Sequence, residues 1–173
     1  MMIDAVRCTL RAVEQSDVEI MYRWENDPEV WRVSGTTSPF SRDQLQRFVD
    51  QQRFDIYATR QLRLIIDDMR GRSVGAVDLF DFDPQMRRLG IGILVYDESD
   101  RRHGYASAAV AAVQRYARQT LGIHQIWCSM EASNRASMAL FRSAGFEECG
   151  CRRDWIWTPD GYRDEIIMQW IAE

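Results

Sequence analysis

The sequence predicts an α/β (α+β) fold over residues 1–173, a single domain with a mixed, mostly antiparallel sheet flanked by about four helices. Three observations carry this. Strand-like and helix-like stretches alternate along the chain, and several hairpin signals intervene, so the sheet is not purely parallel. From Leu89 to Leu121 the chain runs LGIGILVY, DESDRRHGYA, SAAVAAVQRYARQTL, which reads as strand, loop and helix.

The elements follow in order. Ala5 to Arg11 alternates Val6, Cys8 and Leu10 with polar residues, as a half-buried strand does. Ser16 is placed to cap a helix carrying Val18, Met21 and Tyr22, which Asn26-Asp27-Pro28 stops or breaks. Ser41 and Gln44 form a capping box for a helix to about Gln52, with Leu45, Phe48 and Val49 at helical spacing. Gln61 to Asp67 and Ser73 to Phe82 read as a hairpin around Arg70-Gly71-Arg72, and the strand from Leu89 continues the meander. After Gly104 a helix places Ala106, Ala109, Val110, Val113 and Ala117 on one face, small enough to lie close on a sheet. Gln125 to Met130 is a strand and Asn134 to Ala144 a helix. Phe146 to Trp157 and Tyr162 to Ile171 pair across Thr158-Pro159-Asp160-Gly161.

Composition excludes some functions. The chain has 46% hydrophobic and 28% charged residues, enough for one core that buries roughly two thirds of the unfolded surface. Its net charge is −4, with 26 acidic against 22 basic residues, so it lacks the basic footprint of a nucleic-acid binder. The N-terminus has no signal-like apolar core and no stretch is long enough to span a membrane, which points to the cytoplasm. Cys8, Cys128, Cys149 and Cys151 show no CxxC spacing, and only His103 and His124 could join them, so no metal site is expected. Cys149 and Cys151 read as small apolar fillers on one face of a strand.

The junction at 101–106 has the chemistry of an anion site. The first N–H groups of a helix lack carbonyl partners, and the macrodipole adds roughly half a positive charge there. Gly104 lets a phosphate approach the backbone, and Arg101, Arg102 and His103 add charge and donors. The string RRHGYA resembles the acetyl-CoA pyrophosphate loop of the GNAT N-acetyltransferases, with Arg101, Gly104 and Ala106 in the patterned places and Tyr105 between them. NRASMALFRSAGFEECG, from Asn134 to Gly150, resembles the family's following helix and the Gly-Phe that leads into the next strand.

The resemblance implies a sheet whose strands splay around the central loop, with the pantetheine arm of acetyl-CoA lying between them. Leu94, Val95 and Tyr96 would pair with the arm. Asn134 would bond it, with Ser137 and Phe141 beside it, and a backbone N–H would stabilise the oxyanion. RWENDPEVWRVSG resembles the early helical region of the ribosomal-protein and spermidine acetyltransferase branch, where that segment lines the acceptor groove. Trp24, Glu25, Asp27, Glu29 and Trp31 would then hold an ammonium by ion pairing and cation–π contact.

The implied activity is direct acetyl transfer from acetyl-CoA, as co-substrate, to a primary amine, either a protein or peptide N-terminus or a small polyamine such as spermidine. The other reading is a non-catalytic acyl-CoA sensor or interaction module. A dinucleotide site is disfavoured, because Gly90 to Gly92 sit inside a strand. A homodimer is common in the resembled branch, and the expected partners include neither nucleic acid nor membrane. Two usual catalytic residues are missing: Phe141 stands where many relatives have a tyrosine, and GIGILV lacks a glutamate. Asp78, Asp81, Glu131 and Ser137 are the substitutes considered for the base or for contact with the thiol, and Tyr105 and Tyr162 for the proton donor.

Overall fold

Eight strands hydrogen-bond into one sheet in the order β1-β2-β3-β4-β5-β6-β8-β7. They are β1 (Met2–Asp4), β2 (Cys8–Ala12), β3 (Leu62–Asp68), β4 (Ser73–Asp83), β5 (Arg88–Val95), β6 (Gln125–Glu131), β7 (Glu147–Thr158) and β8 (Gly161–Ile171). The structure is a computed structural model and describes residues 2–172. Every neighbouring pair of strands is antiparallel except β5 and β6, where the chain crosses over through a helix.

The helices are α1 (Val18–Glu25), α2 (Pro28–Ser34), α3 (Arg42–Gln51), α4 (Ile56–Thr59), α5 (Tyr105–Gln119) and α6 (Arg135–Ser143). Two cores lie on opposite faces of the sheet. Along β3, Leu64 and Ile66 join the cluster that contains α5 and α6, whereas Ile65 joins Val18, Met21, Trp24, Leu45 and Val49 of α1 and α3. This is the period-two alternation of a strand covered on both faces. Ala109, Ala112, Val113 and Ala117 are fully buried, so α5 lies close to the sheet as its small residues predict.

Several local expectations are corrected. Ala5 and Val6 lie in the turn between β1 and β2 rather than in a strand, and Val6 is 92% exposed. Ser16 does not cap α1. Residues Gln15–Asp17 form a 3-10 turn in which the Asp17 carboxylate accepts the Glu14 N–H at 2.7 Å and binds Arg11 at 2.7 Å, delaying the helix to Val18. Pro28 starts a helix as well as ending one, because Asp27 caps α2 by accepting the Glu29 N–H at 2.8 Å. With α4 in the link after α3, the described residues form six helices where about four were expected, and β1 adds a strand. Cys149 and Cys151 are exposed rather than fillers, since β7 is the sheet edge and its register shifts just after Glu148.

Candidate functional site

The central gap comes from how briefly β5 and β6 pair. Arg88, Leu89 and Gly90 lie opposite Gln125, Ile126 and Trp127, and there the pairing ends, although β5 runs on to Val95 and β6 to Glu131. The Tyr96 N–H donates to Val74 O at 3.1 Å, so Tyr96, Leu94 and Gly92 turn their backbone groups toward β4. By the same alternation Ile91, Ile93 and Val95 turn theirs into the gap. On the other bank the Ala132 N–H donates to Asp164 O at 2.9 Å, which directs Ser129 and Glu131 into it. The gap is therefore a vacant strand position, lined by the donors and acceptors that an extended amide-bearing chain requires.

At the wide end of the gap sits the start of α5. Gly104, its N-cap, has φ 83°, and Arg102 before it has φ 65°, a left-handed pair of residues that curls the loop. The first helical bond, Ala108 N–H to Gly104 O, leaves the amides of Tyr105, Ala106 and Ser107 without helical partners. Arg7, from the turn before β2, lies across Gly104, its Cδ 3.0 Å from where a β-carbon would stand. The Arg101 guanidinium folds back onto Val95 O at 3.3 Å and Tyr96 O at 3.2 Å, so it braces the end of β5. His103 stacks on Tyr105.

Asn134 begins α6 by accepting the Ser137 N–H through Oδ1 at 3.1 Å, which leaves its Nδ2 as a donor. Phe141, on the same helix, is 3% exposed and packs edge-on against Phe146 inside the core.

The sheet face opposite α5 carries the other half of the site. Arg63, Asp78 and Gly92 stand side by side across β3, β4 and β5, with Phe80 above Gly90 and edge-on to Trp127 at 5.2 Å. A β-carbon on Gly90 would sit 2.3 Å from the Phe80 ring. Arg63 holds Asp78 with two parallel bonds at 2.7 and 2.8 Å and binds Glu25 of α1 with its remaining nitrogen. Across the gap, Ser129 donates to Glu165 at 2.8 Å, and Arg152 donates to the other oxygen of that carboxylate at 2.8 Å.

A family model for the GNAT acetyltransferase domain matches residues 7–147. The chain belongs to that family. It is a GNAT N-acetyltransferase, with acetyl-CoA as co-substrate. Its sequence is 25% identical over 167 residues to the ribosomal protein bS18 alanine N-acetyltransferase of Escherichia coli, covering 92% of this chain and 95% of the relative. A spermidine N-acetyltransferase from Vibrio cholerae, solved with CoA and spermine, shares the fold at TM-score 0.85 and 20% identity, covering 95% of each chain. A ribosomal alpha-N-protein acetyltransferase solved with coenzyme A does so at TM-score 0.84 and 19% identity, covering 99% of this chain and 98% of that one.

Within this GNAT domain the structure gathers some of the anticipated residues and disperses others. Arg102, His103, Gly104, Tyr105 and Ala106 form the loop and first turn at the gap, and Asn134 and Ser137 flank it. Of Leu94, Val95 and Tyr96 only Val95 turns its backbone inward, and Ile91 and Ile93 are the inward-facing residues that sequence reasoning passed over.

The residues expected to hold the acceptor each have partners within the protein. Trp24 is a core residue at 5% exposure, Glu25 is clasped by Arg63, and the Trp31 indole donates to Glu25 O. Glu29 pairs with Arg32 in solvent. Asp27 caps α2 and accepts the Tyr96 hydroxyl at 2.8 Å. The Glu29 N–H and that hydroxyl hold its carboxyl below the usual range, while the Asp27 contact raises the Tyr96 phenol.

Asp81 is an exposed residue with φ 48° at the β4 bulge. Glu131 accepts the Ser133 hydroxyl at the rim of the gap, and Tyr162 is exposed at the β7–β8 turn. Ser129, Glu165 and Arg63 were passed over. The signal available for Ser129 was the polar alternation of Gln125, Ser129 and Glu131 along β6.

Burial pushes the Cys8 thiol up to about 11 and the Cys128 thiol up to about 12, the opposite of what a nucleophile needs. Among the described residues no group of three or more His, Cys, Asp or Glu is placed to hold a metal, and no helix is long and apolar enough to cross a membrane.

Proposed function

We propose that residues 1–173 act as one domain that moves acetyl directly from acetyl-CoA to a primary aliphatic amine, a polyamine or a peptide N-terminus, in the cytoplasm. The observation that carries the acceptor class is the charge of the face opposite α5. Glu25, Asp78, Glu131 and Glu165 gather there against Arg63 and Arg152, leaving a carboxylate excess that attracts an ammonium into the gap.

In this reading the pyrophosphate rests on the amides that follow Gly104, with the Arg7 side chain, which lies across Gly104, adding a guanidinium at the helix end. The pantetheine amides pair with Ile93 and Val95 on one bank, and the Asn134 amide donates from the other. Ser137 lies near the sulfur. The amine enters over Gly92, whose missing side chain leaves that bank bare, and meets the thioester at the apex, where β5 and β6 converge. With no activated thiol available, attack is direct and no covalent enzyme intermediate forms.

The second reading, an acyl-CoA-binding module without turnover, draws on the burial of Phe141 where many relatives place an acid. Free-thiol release from acetyl-CoA, measured against spermidine, spermine, aryl amines, aminoglycosides and peptides with varied N-termini, separates the two. Turnover on an aliphatic amine establishes the transferase and names its acceptor. Acetyl-CoA binding with no turnover on any amine establishes the module.

A further inference from the structure

We propose that Ser129 is the group that takes the proton from the acceptor nitrogen, handing its own hydroxyl proton to Glu165, with Arg152 holding Glu165 in place. The inference rests on the acetyl-transfer reading and adds to it a proton path that neither loop nor helix motif contains.

Register places Ser129 at the reacting end. Gly90 lies opposite Trp127, so two residues further along each diverging strand Gly92 faces Ser129 across the gap. Cys128 and Met130 point into the core beneath α5 and α6, so the intervening Ser129 side chain lies on the acceptor face. Its hydroxyl donates to Glu165 Oε1 at 2.8 Å, a bond that aims the remaining oxygen lone pairs away from Glu165. Glu165 is diagonal to Ser129 on β8: Ser129 pairs with Ile167, and Glu165 with Glu131. Its side chain is 12% exposed, and its second oxygen is held by Arg152 at 2.8 Å. The carboxylate is thus paired with a guanidinium, fixed in orientation and largely shielded, so it reaches the gap through the serine.

Asp78, on the other bank, is differently placed. Arg63 occupies both of its oxygens in a bidentate pair, which makes it a fixed charge for the ammonium more than a proton acceptor.

The step balances without a further reactant. The bound ammonium first gives one proton to water and attacks as the neutral amine; as its nitrogen bonds to the thioester carbonyl carbon, the carbonyl π pair moves onto oxygen and the nitrogen becomes cationic. Its proton passes to Ser129 Oγ while the Oγ–H proton passes to Glu165 Oε1. The carbon–sulfur bond then breaks, its electron pair leaves on the thiolate, and the amide is neutral. Glu165 returns the proton to solvent and the thiolate leaves with CoA.

The test uses the full chain and the amine that the wild type acetylates best. Ser129→Ala should lower kcat by about 100- to 10,000-fold, the range of a positioned proton acceptor, with acetyl-CoA affinity by calorimetry within about twofold of wild type. Ser129→Thr keeps the hydroxyl and should recover most of the rate. Glu165→Gln should lose about as much as Ser129→Ala, and the double variant little more, because the two act as one unit. Added imidazole should accelerate Ser129→Ala and leave the wild type unchanged, a rescue that a merely structural serine would not show. If Ser129→Ala melts like wild type and keeps more than about a third of kcat, or loses rate without recovery by threonine or imidazole, the relay is wrong. A wild type that binds acetyl-CoA and acetylates no amine overturns the acetyl-transfer reading, and the relay with it.

Discussion

Gly92→Ala tests where the acceptor crosses the sheet. Gly92 has no left-handed φ, and a β-carbon built there meets Phe80 Cε1 at 3.7 Å, with no other atom within 4 Å, so alanine fits the fold. Removing backbone freedom from the unfolded chain should stabilise the variant by about 0.4–1 kcal/mol. The methyl nevertheless projects onto the acceptor face beside Asp78. Carbon and nitrogen settle at roughly 3.5–4.0 Å, so the incoming amine is pushed back by about 1 Å. A misplacement of that size costs on the order of 100-fold, or about 2.7 kcal/mol.

The assay is kcat/KM for the amine by thiol release, alongside acetyl-CoA affinity by calorimetry and a thermal melt. The expected result is a specificity constant down about 100-fold with unchanged acetyl-CoA binding and a slightly higher melting temperature. Gly90→Ala is the contrast. There the β-carbon would lie 2.3 Å from Phe80, whose ring braces Trp127, so overpacking should cost about 1–3 kcal/mol of stability. A folded Gly92→Ala enzyme with an unaltered specificity constant would refute entry over Gly92.

Other expectations follow from the same geometry. Gly104→Asp puts a carboxylate at the phosphate cradle and should weaken acetyl-CoA by on the order of 100-fold by calorimetry; unchanged affinity in a folded variant would remove the loop from the site. Arg63→Met leaves Asp78 and Glu25 without their shared cation and should lower stability by about 2–4 kcal/mol in urea, toward the small end because Asp78 is partly exposed. Acid should destabilise the fold in a defined window. The Asp27, Asp68 and Asp100 carboxyls lie below their ordinary 3.8 through backbone amides, the Tyr96 hydroxyl and Arg72. Their contribution is therefore complete above the unfolded value and lost as pH falls through the depressed native values, so urea midpoints from these groups should hold between about pH 5 and 7 and fall below about pH 4.

What was legible in the sequence was local. Ser41 and Gln44 form the capping box that their spacing announces, and Gly104 takes the left-handed cap that only a residue without a side chain adopts easily. The hairpin at Arg70-Gly71-Arg72 and the alternation along β6 were equally readable, because each is set by neighbours in the chain.

The chemistry of the acceptor face was not. Glu25 reads as an acidic helix end, and its meaning comes from Arg63, 38 residues away on β3. Ser129 meets Glu165 across 36 residues, and only the sheet order brings β8 beside β6. Resemblance pointed to the acidic and indole-rich stretch at 24–31 as the acceptor site, yet burial took Trp24 into the core and Arg63 took Glu25. The choice among Leu94, Val95 and Tyr96 was hidden for a related reason: which residues face the gap depends on which pairs bond to β4.

The three residue pairs joining β5 to β6 make the sheet two half-sheets on a short seam. A ligand in the vacant strand position would hydrogen-bond to both halves and lengthen that seam, so in the proposed binding mode the co-substrate would double as a structural tie. At about 100 times its dissociation constant such a ligand adds about 2.7 kcal/mol to the folded state. The amides of the β6–β8 half should consequently exchange with deuterium more slowly when acetyl-CoA is bound. The protein's resistance to proteolysis would then rise and fall with the cell's acetyl-CoA supply, tying its lifetime to the metabolite it consumes.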